Sequence, residues 1–269
     1  MSSGPDSFVA QEVARFERSC AHEISVSVVI PVKDDAVALE RCLELLAQQS
    51  VTPLEIVVVD NGSTDTSAAV ANRYGARVVT EPSPGIPAAA ATGYDAARGD
   101  VIARCDADSV MAEDWVERIA RCMTINPGVD ALTGDGWFYD APRNLGWVLK
   151  PIYLGTYYVL VHAALGHTTV WGSNMALRRR VWQEVRDSVH RDDPEVHDDI
   201  DLAFALGPER RVRYDGCLVV GVSARSVRGR HQLRRRFRRA FRTLRLNWRV
   251  TPPWSRWRTR LTAGRNSVE

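Results

Sequence analysis

The sequence predicts an α/β fold: a mostly parallel central sheet with helices on both faces, followed by a basic helical tail. Three observations carry that reading. Apolar, strand-like runs alternate with helix-patterned segments from residue 25 to residue 105, and this alternation favours a parallel sheet covered on both faces. Three of the runs lead into polar, mostly acidic ends: Lys33-Asp34-Asp35, Asp60-Asn61-Gly62 and Asp106-Ala107-Asp108. Charge is also divided sharply. Before Gly216, twenty Lys and Arg face thirty-two Asp and Glu, a net −12; from Gly216 onward, fifteen arginines face only Glu269, a net +14.

The elements follow in order. Residues 25–32 read as a strand. Residues 36–49 place Leu39, Leu43 and Leu46 on one helical face. Residues 54–59 are a second strand. Ser63-Thr64-Asp65 then offers an N-cap for a helix through Tyr74, which Gly75 stops. Residues 76–80 are a third strand, 87–98 an Ala-rich helix stopped by Gly99, and 101–105 a fourth strand. Beyond Asp108 the pattern is coarser: a helix over 113–125 with Trp115, Ile119 and Cys122 on one face, a strand over 131–139, and an apolar helix over 152–166. That helix is short of the roughly 20 residues a membrane span needs. A segment over 170–177 carrying Trp171-Gly172-Ser173-Asn174, a helix over 178–185, a helix over 200–206 and one or two strands over 212–222 complete the body.

Composition allows a single domain. A chain of 269 residues, 45% apolar and 25% charged, can bury a large core. The five cysteines (Cys20, Cys42, Cys105, Cys122 and Cys217) form no Cys-x-x-Cys pair, which argues against zinc and against a disulfide framework. The polar residues 1–6 do not read as a secretory signal. The expected organisation is an extension over 1–24, a main domain over 25–224 and an arginine-rich amphipathic tail over 225–269. A reducing cytoplasmic setting is expected, with peripheral placement on the inner face of a membrane as the tail's alternative.

Asp106 and Asp108, one residue apart at a strand's carboxyl end, suit a hard divalent cation with sites left for phosphate oxygens. In parallel α/β sheets ligands bind outside the carboxyl ends of the strands. That rule places Asp34, Asp35, Asp60 and Asp108 on one edge.

These residues resemble a known family. Val28-Val29-Ile30-Pro31-Val32-Lys33-Asp34-Asp35, Val57-Val58-Val59-Asp60-Asn61-Gly62-Ser63-Thr64-Asp65, and Gly99-Asp100-Val101-Ile102 running into Asp106-Ala107-Asp108 are similar to glycosyltransferase family 2, an inverting group with the GT-A fold. Gly172-Ser173-Asn174-Met175-Ala176-Leu177-Arg178-Arg179 resembles its acceptor-side segment. Asp198-Asp199-Ile200-Asp201-Leu202 resembles its Glu-Asp-x-Asp-Leu motif. The resemblance implies a Rossmann-like sheet and a metal-dependent transfer of one sugar from a UDP- or GDP-sugar to an acceptor hydroxyl, lipid-linked or of the cell envelope. It implies that Pro31, Lys33, Asp35, Asp60 and Asp106 bind the nucleotide sugar, with Asp60 at the nucleobase. Asp106 and Asp108 would hold Mg²⁺ or Mn²⁺. Asp199 would be the general base, and Trp171, Gly172, Asn174 and Asp198 would lie on the acceptor side. The alternative for Asp60 is an N-terminal cap for the following helix, a role Ser63 and Asp65 could equally supply, and Asp198, Asp199 and Asp201 are placed to cap the helix that follows them.

Three departures from the family pattern bear on function. Ala90-Ala91 stand where relatives carry an Arg-Asn pair near the diphosphate, so phosphate charge must be met by the metal, by helix N-termini or by an arginine of the tail. Asp198 replaces the usual Glu. Gln232-Leu233-Arg234-Arg235-Arg236 lacks the Trp of the processive motif, so single transfer is expected and not polymerisation. His231 is a candidate late metal ligand or a solvated side chain. A helix over 228–249 would group Leu233, Phe237, Phe241, Leu244 and Trp248 among arginines, which fits an anionic membrane surface or a tail folded over the acidic edge. Nucleic acid ranks below both, for want of a recognised module. Two alternatives come from other classes. A nucleotidyltransferase would need a glycine-rich basic loop after the first strand, which residues 32–36 lack. A non-catalytic scaffold would not be expected to keep both Asp108 and Asp199.

Overall fold

The computed structural model describes residues 24–141, 154–226 and 230–265. All but the last residue of the expected 1–24 extension, Cys20, the first two residues of the expected 152–166 helix and the first two of the expected 228–249 helix lie outside the described residues, as does the side chain of His231.

The first half follows the alternation: β1 (Val26–Val32), α1 (Ala36–Ala47), β2 (Glu55–Asp60), α2 (Ser67–Arg73), β3 (Arg77–Thr80), α3 (Ile86–Ala96) and β4 (Val101–Arg104). These four strands pair in parallel, with β1 between β2 and β4. Then come β5 (Val110–Met111), α4 (Trp115–Ile125), β6 (Ala131–Phe138), α5 (Thr156–Leu165), β7 (Met175–Arg178), α6 (Arg179–Val185), α7 (Asp198–Leu206), β8 (Val212–Val222), α8 (Arg230–Val250) and α9 (Pro253–Arg265). Among the described residues all eight strands form one sheet in the order β3-β2-β1-β4-β7-β6-β8-β5. Strand β7 runs antiparallel to both β4 and β6, while β6 and β8 are parallel. Two-residue β5, too short to show any period in the sequence, pairs with β8. The lead-in Val170–Asn174 belongs to no strand: only Met175–Arg178 pairs.

Both faces are covered, as strand alternation requires. Val28, Ile30 and Val58 pack with Leu39, Leu43 and Leu46 of α1 and with Trp115 and Ile119 of α4. Val29, Val57 and Val59 point the other way, onto Ala89, Ala90 and Tyr94 of α3, with Trp182 of α6 and Ile200 of α7 in the same core. The small residues of α3 let it lie very close to the sheet. A Cβ on Gly93 would fall 2.3 Å from Val29 Cγ1.

One side chain caps two helices. Asp65 Oδ1 accepts the Ser67 N–H at the start of α2 (2.9 Å), and its Oδ2 accepts the Ala36 N–H at the start of α1 (2.9 Å). The α1 cap is thus contributed from 29 residues away, which a local capping rule cannot see. Asp34 sits at φ +50° and accepts the Thr64 N–H (2.6 Å). The loops after β1 and β2 are therefore tied together at the sheet edge.

The basic tail folds onto the body as two helices, broken at Pro252 and Pro253 because proline lacks the N–H that would continue α8. Its apolar set divides. Ala240, Leu244 and Trp248 pack against the α3/α7 core. Phe237 and Phe241 remain about two-thirds exposed. Asn247 Nδ2 donates to Asp201 Oδ1 (2.8 Å), and Thr243 Oγ1 accepts the His197 N–H (2.8 Å). In α9, buried Arg256 donates to the carbonyl of Leu165 (2.8 Å) and to His167 Nε2 (3.1 Å). With Nε2 accepting, His167 Nδ1 carries the proton and donates to the Thr168 carbonyl (2.9 Å). Burial, aided by the Arg256 charge, pushes His167 down to about 4, so it is neutral at pH 7. Among the described residues no helix is long and apolar enough to cross a membrane.

Candidate active site

The carboxyl ends of β1 and β4, the loop before β7 and the start of α7 meet around one cleft of about 610 Å³, roofed by α8. Pro31, Lys33, Asp35, Asp106, Asp108, Trp171, Gly172, Asp198 and Asp199 line it; Asp60 and Asn174 do not.

Asp108 and Asp35 are joined by Arg225. The guanidinium lies 3.0 Å from Asp108 Oδ2 and also pairs with both Asp35 oxygens. Burial pushes Asp108 up to about 6; the Asp106 charge adds to the rise and Arg225 opposes it. A carboxylate group that gathers a cation in this way has the hard oxygen donors a divalent ion prefers. Asp106 is oriented by Ser173, whose hydroxyl donates to its Oδ2 (2.5 Å), and by Arg104 (3.4 Å to Oδ1).

Arg104 is the residue that the sequence pattern concealed. It ends the apolar strand β4, is 3% exposed, and donates to Asp198, to Tyr94 Oη (3.3 Å) and to Asp106. A buried charge must be paired. An arginine at the end of a buried strand, two residues before the acidic pair, is the signal that the apolar run masked. Gly172 is required beside it, since a Cβ there would come within 2.9 Å of the guanidinium carbon. Asp198, which also lines the cleft, is consequently held in an ion pair.

Asp199 heads α7 across the cleft. Its Oδ2 accepts the Gly172 N–H (3.1 Å), its Oδ1 accepts its neighbour Ile200 N–H (2.7 Å), and His197 Nδ1 lies 2.5 Å from Oδ1, out of line for a hydrogen bond. Burial alone would raise this carboxyl. His197, the Gly172 N–H and Arg104 outweigh it and hold Asp199 well below the usual carboxylate range. His197, Asp198 and Asp199 bring possible ligand atoms within 4.8 Å of one another, but Asp198 is committed to Arg104. Asp201, 2% exposed, is structural: it accepts from His190 N (2.7 Å) and Asn247.

Two expectations need correction or restriction. Asn174, expected on the acceptor side, is fully buried beneath the cleft. Its Oδ1 accepts from Trp115 Nε1 (2.9 Å), and its Nδ2 donates to the carbonyls of Asp135 (2.9 Å) and Leu218 (2.7 Å). With those atoms engaged it pins the β7 lead-in to β6 and β8. Asp60 stands at the end of β2, where its Oδ1 accepts the Ser63 N–H (2.9 Å). Its neighbour Asn61, passed over in the sequence, faces the cleft and ties the β3–α3 loop by accepting the Gly85 N–H (2.8 Å). A second cavity of about 630 Å³, lined by Arg210, Arg211, Arg213 and Arg260 among others, contains none of the expected site residues.

Comparison with solved structures defines the fold. Glucosyl-3-phosphoglycerate synthase from Mycobacterium tuberculosis, in complex with Mn²⁺, UDP and phosphoglyceric acid, superposes with a TM-score of 0.63 at 18% identity, covering 87% of this chain and 82% of that one. The mannosyltransferase PcManGT from Pyrobaculum calidifontis, in complex with GDP-Man and Mn²⁺, superposes at 0.59 and 21% identity, covering 94% and 81%. The fold is that of the GT-A glycosyltransferases. Residues 27–186 match Glycosyl transferase family 2, and the chain belongs to that family. An uncharacterized glycosyltransferase of M. tuberculosis is 37% identical over 111 residues, covering 41% of this chain and 48% of that protein. Glycosyltransferase AglE of Haloferax volcanii is 29% identical over 119 residues, covering 41% and 36%. The chain spans less than half the length of these curated relatives.

Proposed function

We propose that this protein transfers one glycosyl residue, with inversion, from a UDP- or GDP-sugar to an acceptor hydroxyl. The observation that carries the reading is the convergence of Asp35, Asp106, Asp108 and Asp199 on one cleft. The donor diphosphate lies at Asp106 and Asp108, with Pro31, Lys33 and Asp35 along the nucleotide and Asp60 toward the base. Asp106 and Asp108 would hold Mg²⁺ or Mn²⁺, which supplies neutralisation of the departing diphosphate. Ser173 and Arg104 keep the Asp106 carboxylate aimed. The acceptor enters beside Trp171 and Gly172. Asp199 Oδ2 takes the hydroxyl proton as the acceptor oxygen bonds to the anomeric carbon and the carbon–oxygen bond to the diphosphate breaks. Attack from the face opposite the leaving group inverts the centre. The transferase domain is taken as residues 25–224.

Thermal-shift screening of UDP- and GDP-sugars with and without Mn²⁺ tests this. The true donor should raise Tm in a concentration- and cation-dependent way. Absence of a cation-dependent shift with any donor would remove the reading.

A peripheral membrane role for the tail rests on a separate observation. Phe237, Phe241, Trp254 and Leu261 are each about two-thirds exposed or more, on helices dense in arginine. Aromatic side chains amid basic ones suit an anionic lipid surface. The helix also roofs the cleft, and the two roles are compatible. The double substitution Phe237→Ser/Phe241→Ser, at side chains outside the core, should reduce sedimentation with phosphatidylserine vesicles several-fold without changing Tm. Equal partitioning of variant and wild type would exclude docking through this face.

A further inference from the structure

We propose that Arg225 is a diphosphate-binding residue, held in reserve by standing in the cation's place between Asp35 and Asp108 until a donor arrives. The inference rests on the glycosyl-transfer reading of the same cleft.

Three observations lead to it. First, one guanidinium bridges two carboxylates from different strand ends. Its Nε and a terminal nitrogen lie 3.1 and 3.0 Å from Asp108 Oδ2, and its terminal nitrogens also reach both Asp35 oxygens. These carboxylates are mostly covered, at 16% and 23% exposure, while the arginine side chain is 55% exposed. The acids are fixed in the cleft and the cation is the part able to leave. Second, the diphosphate lacks a cationic partner on α3, which carries no Lys or Arg from Ile86 to Ala96. Arg104, the buried guanidinium at this edge, is spent on Asp198, Tyr94 and Asp106. Arg235 and Arg239 of α8 also line the cleft but are engaged with Glu195 and the Val196 carbonyl, and Arg225 is the cation seated on Asp35 and Asp108 themselves. Third, Arg225 lies on the 3-10 turn Ala224–Ser226, outside both β8 and α8, so its half-exposed side chain can swing without breaking a strand or helix hydrogen bond.

The exchange is balanced in charge and breaks no covalent bond. A divalent cation bound at Asp108 repels the guanidinium from the oxygen they would share. The freed fork has five donors matched in geometry to phosphate oxygens, and the diphosphate that comes with the cation accepts them. Arg225 therefore lowers affinity for a bare cation and raises affinity for the cation together with a nucleoside diphosphate.

Calorimetric titration of the full chain tests both halves, using MnCl₂ alone and then UDP and GDP in saturating Mn²⁺. In Arg225→Gln, Mn²⁺ alone should bind about tenfold more tightly than in wild type. The preferred nucleoside diphosphate with Mn²⁺ should bind about tenfold or more weakly, as expected for loss of a charged hydrogen bond. Arg225→Lys should fall between, since an ammonium supplies charge without the fork. Unchanged or weaker Mn²⁺ binding in Arg225→Gln, or nucleotide affinity equal to wild type, overturns the proposal. Asp108→Asn separates the two levels. If it abolishes Mn²⁺ binding while Arg225→Gln changes nothing, only the role of Arg225 falls. If Mn²⁺ binding survives it, the cation reading of the cleft falls, and this inference with it.

Discussion

Asp199→Asn is expected to lower the rate of sugar transfer by ~10²–10³-fold while leaving the donor Kd within about threefold of wild type. Positioned proton transfer is typically worth ~10²–10⁴-fold. The lower part of that range applies because the surroundings of Asp199 stabilise its ionised form and so weaken it as a base. The same environment gives a pH expectation: the carboxylate stays ionised throughout the neutral and mildly acidic range, so it contributes no acidic limb to the rate profile there. The substitution has a structural cost that must be separated from the chemical one. Both carboxylate oxygens accept backbone N–H groups, from Gly172 and Ile200. An amide can accept at only one of its two ends, so one bond is lost, at about 1–3 kcal/mol for a buried donor left unpaired. Steady-state rates, donor titration and Tm should be read together. A fall in transfer matched by an equal fall in donor binding would make Asp199 the anchor of the Gly172 loop and no base at all.

Asp108→Asn should abolish the cation-dependent part of donor binding. Altering a mere outer-sphere partner costs about 10–100-fold in metal affinity, so removing a direct carboxylate ligand is expected to cost ~10²-fold or more. The fold should survive, because the side chain packs at the cleft edge and its polar partner, Arg225, keeps Asp35. The measurement is Mn²⁺-dependent thermal stabilisation by UDP- and GDP-sugars, with Asp106→Asn alongside. Asp106 is held by Ser173 and Arg104 and is 39% exposed, so its loss should be the milder of the two. Donor stabilisation that persists unchanged in Asp108→Asn would place the cation elsewhere and remove the assigned role of the acidic pair.

Much of the first half was legible because local signals and the tertiary fold agree. The apolar runs, the Leu39-Leu43-Leu46 face and the stop at Gly75 each state a periodicity that the parallel sheet then satisfies. That Asp35, Asp106 and Asp108 follow strand ends was legible because the strands carrying them were, whereas their meeting with Asp199 around one cleft is a tertiary fact. Asn174 was misplaced for a physical reason. An amide near a site motif can face a ligand or the core, and only the positions of Trp115, 59 residues earlier, and Leu218, 44 later, decide which. The tail was legible as basic and amphipathic. Its first helix was expected to end at 249, before Pro252, but the second helix Pro253–Arg265 was not read, and the division of its apolar face depends on where the body ends beneath it.

The sequence by itself determined the βαβαβαβ order, the acidic strand ends and the charge division, because these are properties of neighbouring residues and of composition. Tertiary structure alone decided the partners: Asp65 capping two helices, Arg104 gripping Asp198, Arg225 spanning Asp35 and Asp108, and α8 laid across the cleft. Each joins groups from separate stretches of chain through contacts of a few ångströms, and spacing along a sequence does not encode which distant side chains meet.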